Sequence, residues 1–131
     1  MPETHEALTW IGNRVDDVYG ARVGKIEDAY VDAESGAVVW LLVRLGRFGD
    51  RHTLMPTEDA VAGAGHVWVP FERRQVQSAP AVPPGEPLTC FEDLALAAHY
   101  GLEDARRSEI RDDEITAFPA GAAREHSFSA R

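Results

Sequence analysis

Lysine occurs once in the 131 residues, at Lys25, and cysteine once, at Cys90. A lone cysteine excludes an intrachain disulfide and agrees with a reducing compartment. The five histidines show no His-x-His or His-x-x-x-His spacing and no cysteine pair supports them, which argues against a zinc site. Basic residues are scarce overall, 13 against 22 acidic ones, for a net charge of −9. Affinity for nucleic acid rests largely on Lys and Arg neutralising phosphates, so this balance argues against non-specific DNA or RNA binding. Long hydrophobic runs are also missing. The longest covers residues 37–43, far short of the roughly 20 residues a membrane-spanning helix needs. The segment MPETHEALTW has no basic n-region and no apolar h-region, so no signal peptide is expected and the expected location is the cytoplasm. Ser78, Ser108 and Ser127 lie in no nucleophile-elbow context. No base, nucleophile and oxyanion donor can be assembled from motifs, so neither enzymatic activity nor a cofactor is expected.

What the chain has is a succession of short β signals. Val15 and Val18 mark a first strand closed by Tyr19-Gly20. A second runs over residues 22–31, where Gly24 signals a bulge or a close backbone approach. Residues 32–36 make a turn from Asp, Ser and a glycine free to take positive φ. Residues 37–45 carry the strongest β signal, with Val39, Leu41, Val43 and Leu45 on one face and Val38, Trp40, Leu42 and Arg44 on the other. A strand apolar on both faces is central and covered twice. Residues 51–55 form a short strand stopped by Pro56, and residues 60–63 and 66–69 a hairpin about Ala64-Gly65. Residues 71–74 suggest one helical turn, and Val76 the start of a last short strand.

The proline-rich stretch 81–87 reads as a linker. Thr89 and Glu92 have capping-box spacing for a helix over residues 91–100, with Gly101 as its C′ residue. Phe91, Leu94, Ala95 and Ala98 form its apolar face, and His99 is placed to meet its last carbonyls. Residues 103–131 are expected to be a polar, partly disordered tail, with a short strand or helix at 114–118.

Gly12, Val15 and Asp17, then Gly20, Val23-Gly24-Lys25-Ile26, Asp28, Val31-Asp32, Gly36, the run 39–43, and Val67, Val69 and Pro70 form an ordered set. This set resembles the PRC-barrel family over residues 8–80, in its stand-alone bacterial form. The resemblance implies a mainly β fold, a small, strongly bent barrel of about six strands, here followed by one C-terminal helix. It also implies an assembly or interaction module. Known members include a domain of the photosynthetic reaction-centre H subunit and one of a ribosome-maturation factor, but the chain lacks the membrane helix of the first and the preceding domain of the second. Neither function is carried over.

The leading expectation is a non-enzymatic protein–protein interaction module acting as a homodimer. Trp40 and Leu42 are its principal candidate contacts, since tryptophan is enriched in interface hot spots. Burial of this face under the helix is the competing account. Arg44, Trp68 and the residues Arg47 and Phe48 at the tip of the 46–50 turn are further candidates. A ribosome- or RNA-associated factor is one rival, and would need an exposed patch of Arg44, Arg47, Arg51, Arg73 and Arg74. A small-ligand or metal-binding protein is the other. For it the clusters Asp16-Asp17, Glu27-Asp28 and Asp32/Glu34 offer oxygens, though at spacings that match no calcium loop. Turn chemistry is the simpler account of those clusters.

Overall fold

Val, Ile and Leu alternate with polar residues through the first half of the chain, a pattern that suits a pleated, half-buried surface. The computed structural model describes residues 4–46, 51–102, 111 and 113–121. A short helix α1 (Thr4–Leu8) leads into β1 (Arg14–Asp16), β2 (Arg22–Asp32), β3 (Val38–Leu45), β4 (His52–Pro56), β5 (Val61–Gly63) and β6 (His66–Trp68). Then come α2 (Arg73–Gln77), β7 (Leu88–Thr89), α3 (Cys90–His99) and β8 (Ile115–Pro119). The strands make one mixed sheet in the order β4-β3-β2-β1-β6-β5, with β8 on β2 and β7 on β8. Among the described strands only β1 and β6 run parallel. The expected closed barrel is corrected here: the sheet is open, because β4 and β5 stand at opposite ends of the ladder and do not pair. Val76 is corrected too, since it lies buried within α2 rather than starting a strand.

Two devices shape the sheet. A register shift between Ile26 and Asp28 leaves Glu27 opposite no residue of β3, a bulge that bends β2 and re-aims the side chains around it. Gly24 serves close approach: a Cβ there would collide with the carbonyl of Arg44 on the neighbouring strand. The β5–β6 hairpin closes on Ala64 and Gly65 with φ of 52° and 79°. That is the left-handed pair a two-residue hairpin needs.

β3 is buried on both faces, with Leu41 and Val43 at 0% exposure and Trp40 and Leu42 at 4% and 2%. The chain supplies the second cover itself. Tyr100, the C-cap of α3, sets its ring 6.3 Å from Trp40 and 4.8 Å from Phe71. Its hydroxyl donates to the Leu54 carbonyl at 3.0 Å. Thr89 accepts from the Glu92 N–H, while the Glu92 carboxylate accepts from the Thr89 N–H, a reciprocal cap. At the other end Gly101 has φ +73° and the Leu102 N–H returns to the Ala97 carbonyl at 2.8 Å.

The helix is rotated from the expected orientation: Cys90, Asp93, Leu96 and Ala97 face inward, and Phe91 is exposed. Cys90, Asp93, Ala97 and Tyr100 lie on one helical stripe, and seating Tyr100 on Trp40 fixes which stripe turns in.

The stretch 81–87 straps the sheet. Ala81 bridges to Thr53, the Val82 N–H donates to the His52 carbonyl at 3.0 Å, and Val82 is buried. α3 is not the last element, because β8 pairs with Tyr30, Val31 and Asp32 of β2. The rest of the expected tail, residues 103–110, 112 and 122–131, lies outside the described residues.

Candidate interaction surface

Residues directly opposed on neighbouring strands share a face of the sheet. Arg14 stands opposite Lys25 on one side and His66 on the other. Lys25 stands opposite Arg44, and Arg44 opposite His52. Five basic side chains therefore form a single row, His52–Arg44–Lys25–Arg14–His66, across β4, β3, β2, β1 and β6. Two carboxylates are threaded into it. Asp16 accepts from Arg14 Nε at 2.6 Å and contacts His66 Nδ1 at 2.8 Å. Glu27, turned by the bulge, contacts His52 Nε2 at 2.6 Å and lies 3.6 Å from Arg44 Nε. That nitrogen is screened from solvent and makes no hydrogen bond. Lys25 is exposed and has no ion pair among the described residues.

The row ends in an aromatic. His66 stacks on Trp68 with ring centroids 5.7 Å apart at 20°. The Trp68 indole extends toward Gly63, where no side chain obstructs it. Trp68 is 40% exposed and its partner Val61 is 62% exposed. The backbone beside them is open as well. The Arg14 N–H donates to Gly65 and the Val69 N–H to Asp16, so the peptide groups of Val67 face β1 and those of His66 and Trp68 face β5. Val61 and Gly63 thus bond to β6, and Ala62 points its N–H and C=O outward from the edge of the sheet. The opposite edge, β4, is covered by residues 80–82.

Beside this surface Asp17 joins two elements. Its carboxylate accepts from the N–H groups of Tyr19 (2.9 Å), Ala21 (2.8 Å) and Arg73 (2.9 Å). It thereby caps α2, whose own N-cap residue Glu72 makes no side-chain cap. Burial alone would raise the Asp17 carboxyl, but the three backbone donors outweigh it and hold the pKa below the ordinary 3.8. Asp16 behaves alike: burial opposes ionisation, and the bonds from His66 and Arg14 more than compensate. The acidic clusters are thus spent on internal bonds, and Asp28 likewise accepts from Ala29 and Gly121. Among the described residues no group of three or more His, Cys, Asp or Glu converges to hold a metal ion.

The sequence-derived candidates do not form one surface. Trp40 and Leu42 are withdrawn from any exposed face: both are buried, and Tyr100 sets its ring against Trp40. Trp68 is exposed on the edge hairpin, and Arg44 is part of the basic row. Arg47 and Phe48 lie outside the described residues. Of the five arginines of the expected patch, Arg51 donates to the carbonyls of Gln77 and Ala79, and Arg47 lies outside the described residues. Arg73 and Arg74 line a cleft of about 330 Å³ with Asp17, Tyr19 and Glu72. His99 meets the carbonyl of Gln75 in α2 at 2.7 Å, not the last carbonyls of its own helix. Arg14, Lys25, His52 and His66 escaped the sequence reading, since only strand register brings them together.

The family model of the PRC-barrel domain matches residues 2–79. The chain belongs to the PRC-barrel domain family. No curated protein matches the sequence. Every member of the basic row and the β5–β6 hairpin fall inside the PRC-barrel span, whereas Tyr100, which seals Trp40, lies beyond it. No helix of the described residues is long and apolar enough to cross a membrane.

Proposed function

We propose that this PRC-barrel protein is a non-enzymatic, cytoplasmic interaction and assembly module that works as a homodimer. The observation that carries the reading is the β5 edge, which pairs with no further strand among the described residues, with Val61 and Trp68 exposed beside it. An unprotected edge is a template for pairing with another chain. β5 holds no charged residue and no proline to discourage this. Antiparallel pairing of two β5 strands about Ala62 would join the sheets of two copies edge to edge, an isologous contact that leaves the sheet face carrying Trp68 open. The surface differs from the one expected at Trp40 and Leu42, which the chain covers itself.

Sedimentation at micromolar concentration tests the reading. The wild-type chain is expected to be dimeric. Ala62→Pro removes the outward N–H while leaving the β5–β6 bonds in place, and is expected to weaken the dimer roughly tenfold or more with an unchanged circular dichroism spectrum. A wild-type chain that sediments only as monomer rejects the homodimer.

A further inference from the structure

The basic row is the least expected feature of a chain carrying a net charge of −9. Strands are spaced about 4.8 Å apart, so five consecutive positions span roughly 19 Å. Arg14, Lys25 and Arg44 supply three permanent positive charges against two carboxylates. Those carboxylates are already engaged, Asp16 by Arg14 and His66, and Glu27 by His52 and Arg44. Lys25, at the centre of the row, is exposed and has no ion pair among the described residues, and the Arg44 side chain is 40% exposed. Arg22, three residues before Lys25 on β2, is exposed too. At one end the exposed Trp68 and Val61 add apolar area.

We infer that this row is the docking surface for an extended acidic segment of a partner protein, with its carboxylates along Arg14, Lys25 and Arg44 and an apolar side chain on Trp68. The inference rests on the interaction-module reading but not on the homodimer. Charge complementarity selects the occupant. Same-face side chains of an extended segment lie about 6.6–7 Å apart, so about three carboxylates fit along the row. Arginine and tryptophan are the residue types that dominate interface energetics. A nucleic acid is disfavoured by the same charges. It brings a negative charge at every phosphate along its length, so beyond the row it meets the acidic remainder of the chain. A short acidic segment confines its charge to the row.

The probe is a fluorescein-labelled peptide of alternating glutamate and alanine ending in leucine, titrated with the full chain by anisotropy. A lysine-for-glutamate peptide and single-stranded oligouridine serve as comparisons. The glutamate peptide is expected to bind, and to lose affinity as salt rises to physiological strength. Lys25→Glu is expected to weaken it roughly tenfold or more, and Trp68→Ala to weaken it with little change in salt dependence. Both positions are exposed, and melting temperature checks that each variant folds. Three outcomes overturn the inference: no binding of the glutamate peptide by a folded wild-type chain, equal binding by Lys25→Glu, or tighter binding of oligouridine. Sedimentation of the same samples reports the homodimer separately, so loss of the dimer and loss of the acidic-segment site cannot be confused.

Discussion

Asp17 replaces the two halves of a turn with one side chain. One oxygen holds the β1–β2 turn through Tyr19 and Ala21, and the other holds the start of α2 through Arg73, 56 positions along the chain. Removing it orphans three donors, so Asp17→Ala is expected to cost about 2–3 kcal/mol at neutral pH by urea denaturation. The pH dependence has a definite sign. The folded-state pKa is depressed, so the unfolded chain binds more protons in the acid range. The stabilisation is full above the ordinary value of 3.8 and is lost as pH falls through the folded value. The stability gap between wild type and Asp17→Ala should therefore shrink as pH drops below about 4, and a gap independent of pH would contradict the assigned role. In sequence this residue reads as one more acidic turn former. The short-range half of its role is legible there, and the half that reaches α2 is not.

Among the elements, the β5–β6 hairpin follows its local sequence most closely. Two residues, Ala64 and Gly65, link Gly63 to His66, and both adopt positive φ. Glycine does so freely, while alanine bears a left-handed penalty of about 1 kcal/mol. Ala64→Gly should therefore raise stability by about 0.5–1 kcal/mol, after part of the gain is lost to the more flexible unfolded chain. Thermal melting checks this, and a lower melting temperature would refute it. The limits of α3 are equally local, set by the Thr89–Glu92 box and by Gly101. Its rotation is not local. Phe91 and Leu94 look like the docking face by hydrophobicity, yet Cys90, Asp93 and Leu96 turn inward because Tyr100 must reach Trp40 and Leu54.

Across the whole molecule, the PRC-barrel span depends on residues beyond it. Tyr30 shows the dependence: its hydroxyl donates to the Glu86 carbonyl at 2.7 Å and its backbone register pairs with Pro119. Burial, with the nearby carboxylates of Asp28, Glu92 and Glu86, pushes its pKa up to about 12. A chain ending at residue 102 loses β8, and with it the burial of Thr116, Ala117 and Ala120. The expected cost is about 2–4 kcal/mol, read by urea denaturation, together with faster amide exchange in residues 30–32 of β2 and in Ala33 just after it. A truncated chain as stable as the full one would show that β8 is dispensable.

By itself the sequence determined the punctuation of this protein. The glycines, prolines, Asp32 and the Thr89–Glu92 pair specify turns and caps through contacts a few residues long, and the apolar periods specify strands. Its ordered Gly, Val and Asp positions also carried the family. Tertiary structure decided everything that depends on register and closure. A bulge at Glu27 and the pairing of β1 with β6 set five basic residues in one row, although they lie as far apart as residues 14 and 66. The cover on Trp40 came from Tyr100, 60 positions later. Local propensity acts over one turn or one strand. Which strands become neighbours is settled only when the whole sheet buries its apolar faces, and that choice determines which charges stand together at the surface.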